Sequence, residues 1–153
     1  MISAGRRKTI RILVAEDDLE DQMLLSDAFE YVHHKIEFVE SGKLLEAELE
    51  DNHFPDIILL DLFMPPNSGL ETLKHLKAHP DWRHIPVIIY SNFDDDEFVN
   101  EAYALGATSF ISKPVTFEEL VDEMRKLVTY WENTVTLSGM SISRHRKASS
   151  YAA

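Results

Sequence analysis

The stretch Asp56-Ile57-Ile58-Leu59-Leu60-Asp61-Leu62-Phe63-Met64-Pro65 decides the fold. Four apolar residues, Ile57 to Leu60, stand between two aspartates, with a proline pair shortly after. So short an apolar run, bounded by turn formers, reads as a strand buried on both faces. Such strands belong to parallel sheets covered by helices on each side. In those sheets ligand chemistry collects at the carboxyl ends of the strands. Asp61 stands at such an end, so the residues that end the other strands become the ones to inspect.

Working outward, Ile10 to Ala15 is a second short apolar run ending in acids. Leu19 to Val32 then carries Leu24, Leu25, Ala28, Phe29 and Val32 at helical spacing. Ile36 to Val39 reads as a strand, and Ser41-Gly42 opens a helix with Leu44, Leu45, Ala47 and Leu49. After the strand Asp56–Leu60, Pro65-Pro66-Asn67 reads as a loop. Ser68-Gly69-Leu70-Glu71 has the form of a capping box, and the helix that follows turns Leu70, Leu73 and Leu76 inward. Val87 to Tyr90 is a strand, and Asp94 to Leu105 a helix with an acidic first turn that Gly106 stops. Thr108 to Ile111 is the last strand. Thr116-Phe117-Glu118-Glu119 caps a helix with Leu120, Met124, Leu127, Val128 and Trp131 on one face. These β-then-α units predict an α/β domain with a five-stranded parallel sheet and helices on both faces.

The strand ends carry the chemistry. They are Glu16-Asp17-Asp18, Asp61, Ser91 and Lys113-Pro114. Converging carboxylates repel one another and call for a cation. A hard divalent ion with oxygen ligands, Mg²⁺ or Mn²⁺, suits them. A lysine and a hydroxyl opposite suit the oxygens of a phosphoryl group. A carboxylate in that setting can itself be the nucleophile and form an aspartyl phosphate.

Composition narrows the classes. The chain has 153 residues, 44% hydrophobic and 27% charged, which is one domain of ordinary globular mixture. It has no cysteine, which excludes disulfides, thiolate metal sites and cysteine nucleophiles. No apolar run approaches the roughly 20 residues of a bilayer-spanning helix. No signal peptide opens the chain, so a cytoplasmic location is expected. The net charge is −12, and all 27 acids lie between Glu16 and Glu132. So acidic a body repels nucleic-acid phosphate and favours cations and basic partners. Arg6, Arg7, Lys8 and Arg11 at one end, with Arg144, Arg146 and Lys147 at the other, read as solvated tails.

Four segments in order now make the chain recognisable: Ile12-Leu13-Val14-Ala15-Glu16-Asp17, Leu59-Leu60-Asp61-Leu62-Phe63-Met64-Pro65, Ile88-Ile89-Tyr90-Ser91 and Phe110-Ile111-Ser112-Lys113-Pro114. Over about residues 9–132 the sequence resembles the receiver domain of two-component response regulators. The resemblance implies the flavodoxin-like (βα)5 receiver fold. It implies that Asp61 is the phosphoacceptor, that Asp17 ligates the metal and that Glu16 acts through water. The backbone carbonyl of Phe63 would complete the protein's metal ligands. It assigns Ser91 as the switch hydroxyl, Lys113 as the phosphoryl-binding lysine and Phe110 as the aromatic that changes rotamer. It also implies a cis Lys113–Pro114 bond.

About 21 residues follow Glu132, too few for an output domain, so the chain resembles a single-domain response regulator. The segment Trp131-Glu132-Asn133-Thr134-Val135-Thr136-Leu137 is similar to the end of phytochrome-associated members. That implies a red-light-sensing histidine kinase as phosphodonor and a homodimer, with the downstream target unknown. The domain plan is a flexible tail over 1–8, a receiver domain over 9–137 with a dimerisation segment at 131–137, and a disordered tail over 138–153. Trp131, Val135 and Leu137 read either as a cap on the core or as a dimer contact. Dimer contact is favoured, because a short apolar tail otherwise has little to bury against.

Some positions depart from common receivers. Asn92 replaces the usual small residue after the switch hydroxyl, and Phe63 and Phe93 flank the expected path of a hydrolytic water. Slow self-dephosphorylation is therefore expected. Phe110 lacks a hydroxyl, so its switch would report by packing. Asp18 reads as a helix cap. Asp94-Asp95-Asp96-Glu97 lacks the alternating spacing and Gly of a calcium loop and reads as a solvated helix start. His75 and His79 are four apart but have no third ligand, and His33-His34 reads as a loop. Two other functions stay in view. An aspartyl-nucleophile phosphohydrolase needs a second acid where Phe63 stands. A phosphorylation-independent docking module would not need the acid, serine and lysine set.

Overall fold

The computed structural model describes residues 9–138. The expected tails over 1–8 and 138–153 lie outside these residues, apart from Ser138. The elements are β1 (Ile12–Ala15), α1 (Leu19–Tyr31), β2 (Ile36–Val39), α2 (Gly42–Glu50), β3 (Ile57–Leu60), β4 (Phe63–Met64), β5 (Asn67–Ser68), α3 (Gly69–Ala78), β6 (Val87–Ser91), α4 (Asp96–Ala104), β7 (Ser109–Ser112) and α5 (Phe117–Asn133). Five strands pair in parallel in the order β2-β1-β3-β6-β7. This is the expected flavodoxin-like receiver architecture.

The period of two along each strand explains why the runs read as continuously apolar. Leu13, Ala15, Ile58, Leu60, Val87 and Ile89 join one core with Leu45 and Leu49 of α2, Leu73 and Leu76 of α3, and Ala102 of α4. Ile12, Val14, Ile57, Leu59, Ile88 and Tyr90 join the opposite core with Leu25, Ala28 and Phe29 of α1 and the inward face of α5. Both faces of every central strand are covered, so their positions are apolar up to the carboxyl end, where Ser91 closes β6.

The caps form where short polar side chains precede the helices. Asp18 accepts from the Asp21 N–H at 3.0 Å, Ser41 from Leu44 at 3.1 Å, Ser68 from Glu71 at 3.2 Å and Thr116 from Glu119 at 3.1 Å. Helix α4 starts at Asp96 rather than Asp94, and its N-cap Asp95 makes no side-chain cap bond. The Asp94 carboxylate instead accepts from Ser112 Oγ at 3.0 Å, which ties it to β7 and keeps it out of the helix.

Two further expectations are corrected. The loop at Pro65-Pro66-Asn67 is the tip of a small antiparallel hairpin, in which Phe63 pairs with Ser68 and Met64 with Asn67. The cis bond is Pro65–Pro66, and Lys113–Pro114 is not cis. An X–Pro bond prefers trans by only about 0.5–1 kcal/mol, so tertiary surroundings select the isomer. Among the described residues, no helix is long and apolar enough to cross a membrane.

The C-terminal segment settles against its own domain. Trp131 is buried in the α1/α5 core, and Val135 and Leu137 pack against the same cluster. The apolar tail therefore has a surface to bury against within one chain, contrary to the premise that favoured a dimer contact.

Candidate functional site

The chain reverses its direction of travel across the sheet between β1 and β3, since β2 lies outside β1 while β3, β6 and β7 follow on the other side. Such a switch point leaves a crevice beyond the strand ends. Glu16 and Asp17 enter it from β1 and Asp61 from β3. One carboxylate oxygen from each of these three residues lies within 4.8 Å of the others, the one such group among the described residues. Glu16 and Asp61 are buried, and Asp17 is exposed. An all-carboxylate, partly open set of this kind fits a hard divalent cation.

Lys113 reaches the same crevice from the end of β7. Its Nζ lies 2.7 Å from Asp21 Oδ2, 3.1 Å from Glu16 Oε2 and 3.4 Å from Asp61 Oδ2. It also sits 5.3 Å from the centre of the Tyr90 ring. The sequence places Lys113 opposite Asp61, but its shortest contact is Asp21, which the sequence reading did not single out. The available signal is position: Asp21 lies in the first turn of α1, which starts just beyond the end of β1 and so stays at the same end of the sheet.

Burial and neighbouring charge shift Glu16, Lys113 and Tyr90. Burial pushes the Glu16 carboxyl up, and neighbouring Asp61 adds to the shift, while Lys113 opposes it. Burial alone would lower the Lys113 ammonium. Its hydrogen bond to Asp21 and the charges of Asp61 and Glu16 outweigh that and push it up. Burial also raises the Tyr90 phenol.

Ser91 ends β6 and is fully buried. Its Oγ accepts from the Phe93 N–H at 3.0 Å, and its carbonyl accepts from the Lys113 N–H at 2.9 Å. The Phe63 N–H donates to Asp61 Oδ1 at 3.2 Å, so this backbone lies against the carboxylate. The Phe63 and Phe93 rings stack beside the site, and both are exposed. Phe110, half-buried in β7, packs against the core on the α2–α4 side. The structure thus brings Glu16, Asp17, Asp61, Ser91 and Lys113 to one end of the sheet.

The histidine pairs do not gather. His75 lies 3.4 Å from Glu46, while His79 stacks on Trp82 with ring centres 3.7 Å apart. His33 occupies a turn with φ 55°, and His34 lies 3.9 Å from Glu132.

Comparison with known proteins agrees with this geometry. The model of the response regulator receiver domain matches residues 12–125. The response regulator Rcp1 of Synechocystis sp. is 28% identical over 134 residues, covering 82% of this chain and 91% of Rcp1. The 3',5'-cyclic-nucleotide phosphodiesterase regA of Dictyostelium discoideum is 31% identical over 113 residues; these are 72% of this chain but only 14% of regA. The Mn(2+)-bound form of Rcp1 superposes with a TM-score of 0.75 at 27% identity, covering 84% of this chain and 99% of that one. The phosphorylated cyanobacterial phytochrome response regulator RcpA gives a TM-score of 0.76 at 29% identity, covering 84% and 97%. In sequence, sheet order and the grouping of acids at the strand ends, the chain belongs to the response regulator receiver domain family and is related to the phytochrome response regulators Rcp1 and RcpA.

Proposed function

We propose that the chain is a phosphorylation-dependent signalling module that accepts a phosphoryl group on Asp61 from the phosphohistidine of a sensor histidine kinase. The observation that carries this reading is the meeting of Asp61, a three-carboxylate cluster, Lys113 and Ser91 in one crevice. An Asp61 oxygen attacks phosphorus, the phosphorus–nitrogen bond of the donor breaks, and the imidazole leaves with a proton. The Lys113 ammonium neutralises a phosphoryl oxygen. Ser91 Oγ accepts from Phe93 and keeps its own proton to donate to another. Its inward pull repacks Phe110, which has no hydroxyl to hydrogen-bond.

Glu16, Asp17, Asp61 and the Phe63 carbonyl would hold the Mg²⁺ (or Mn²⁺). When bound, such an ion spreads the negative charge that develops during transfer. The grouping of the three carboxylates supports this assignment.

Three partner proposals accompany the reading. A phytochrome-type kinase is supported by the relationship to Rcp1 and RcpA. A docking surface for that kinase is supported by exposed apolar residues beside the crevice. Leu19 and Met23, one turn apart, are exposed at the start of α1, and Val115 stands two residues after Lys113 and is 96% exposed. A homodimer through α5 is supported by exposed Tyr130 at a cleft of about 450 Å³ between β7 and α5. The acidic body disfavours direct nucleic-acid binding, and the cytoplasm is the compartment where such a kinase would deliver its phosphoryl group. Catalytic turnover as a phosphohydrolase is disfavoured, because Phe63 stands where the second acid would be.

Intact mass of wild type and Asp61→Asn after incubation with acetyl phosphate, with and without Mg²⁺, tests the reading. One phosphoryl adduct that needs Mg²⁺ and Asp61 is expected. No adduct on a protein that binds Mg²⁺ would favour phosphorylation-independent docking.

A further inference from the structure

Lys113 and the cation cluster share carboxylates. Lys113 is held by Glu16, Asp21 and Asp61. The cation cluster is Glu16, Asp17 and Asp61. The two sets differ in one member on each side, and Asp21 is the carboxylate that belongs to Lys113 alone.

That difference matters once a divalent ion is bound. An ammonium and a dication repel each other and compete for the same oxygen lone pairs. Glu16 and Asp61 would then serve the ion with Asp17, which would leave Lys113 with Asp21. The lysine side chain is 8% exposed, so an ammonium stripped of every partner would be costly there. Asp21 is well placed to remain. Its backbone N–H is fixed by the Asp18 cap at 3.0 Å, and its carboxylate makes the shortest of the three contacts. The Lys113 N–H is fixed in turn by the Ser91 carbonyl at 2.9 Å. One end of the lysine is set by the sheet and the other by α1.

We propose that Asp21 is a positioning residue that keeps the Lys113 ammonium at the phosphoryl-binding point while the cation occupies the other carboxylates. This rests on the phosphoryl-transfer reading above. It predicts a sign that charge alone does not. Removing a carboxylate near an anion site should tighten anion binding by simple repulsion. If Asp21 positions Lys113, its removal weakens anion binding instead.

The test uses the full chain, saturating Mg²⁺ and beryllofluoride as the phosphoryl probe, with binding read by ¹H–¹⁵N chemical shifts. Asp21→Asn is expected to bind beryllofluoride about tenfold more weakly, the worth of one charge-assisted hydrogen bond. Its Mg²⁺ affinity should stay within about threefold of wild type, which also shows that the site is folded. Asp21→Glu should recover most of the loss. In a Lys113→Met background, Asp21→Asn should cost nothing further. Equal or tighter beryllofluoride binding by Asp21→Asn overturns the proposal, as does an undiminished loss in the Lys113→Met background. A wild-type protein that binds Mg²⁺ but no beryllofluoride overturns the phosphoryl-transfer reading itself, and this inference with it.

Discussion

The ring of Phe63 lies stacked on that of Phe93, with centres 4.2 Å apart and 26° between the planes. The backbone N–H groups of these same residues donate to Asp61 Oδ1 and Ser91 Oγ. Two apolar rings are thereby held together beside the proposed phosphoacceptor by the groups they shield. Phe98 of α4 meets Phe93 edge-on at 6.3 Å, which braces the stack from behind.

Bulky apolar groups at this position leave little room for an attacking water. Opening the stack with Phe63→Asn and Phe93→Ala together is expected to shorten the life of the aspartyl phosphate by on the order of tenfold. Loss of radiolabelled phosphate from purified protein measures this. An unchanged lifetime would remove the stack from any role in dephosphorylation.

Gly69 packs against the backbone that carries Asp61. A Cβ there would overlap the Asp61 carbonyl oxygen and come within 2.6 Å of Leu62 Cα. Backbone cannot swing aside as a flexible side chain can. Gly69→Ala should cost about 1–3 kcal/mol in urea unfolding and weaken Mg²⁺ binding by displacing Asp61. Gly42→Ala is a useful contrast, because its Cβ would meet the Thr72 side chain and lies away from the acids.

The buried Tyr90 phenol gives a pH dependence with a definite sign. Burial raises it above the ordinary 10.0 of an unfolded chain. As pH rises, the unfolded chain loses this proton first and the folded chain later. The contribution is complete below pH 10.0 and is lost as pH climbs through the raised folded value. Urea midpoints measured from about pH 8 to 11 should therefore fall more steeply for wild type than for Tyr90→Phe. Parallel curves would show that the phenol ionises equally in both states.

Leu19 and Met23 are each 67% exposed and lie one helical turn apart on α1. Replacing both by Ser keeps the charge and should preserve phosphorylation by acetyl phosphate. Transfer from a cognate kinase should slow by about tenfold if this strip is a central contact. Equal slowing with both donors would place the defect in the crevice and not in docking.

At the C-terminal end, Trp131 and Tyr130 are expected to behave differently. Trp131 is buried in the core, so Trp131→Ala should cost about 3–5 kcal/mol of stability. Tyr130 is 55% exposed, so Tyr130→Glu should fold normally. Sedimentation equilibrium should then find this variant monomeric where wild type is dimeric. A wild-type monomer throughout would remove α5 as a self-association face.

The strands and helices were legible because their patterns are local. Ile57 to Leu60 and Val87 to Tyr90 read as strands buried on both faces, and their alternation with helical segments points to a covered parallel sheet. Capping side chains mark four of the five helix starts. Asp94 was less legible, because its carboxylate is taken by Ser112 across 18 positions of sequence and so does not join the helix. The cis bond at Pro65–Pro66 is not legible for a similar reason, since the small intrinsic preference of X–Pro bonds leaves the choice to the surroundings.

By itself the sequence determined the αβ alternation, the two apolar faces of the sheet, and which polar residues stand at strand ends. These follow from periodicity and from the cost of burying unpaired polar groups. Tertiary structure alone decided how the ends are shared out. It put Lys113 nearer to Asp21 than to Asp61, stacked Phe63 on Phe93, and packed Val135 and Leu137 against the α1/α5 core. Each of these depends on distances between segments that are far apart in the chain. Spacing along the sequence sets which residues can face a crevice, but only packing sets which of them touch.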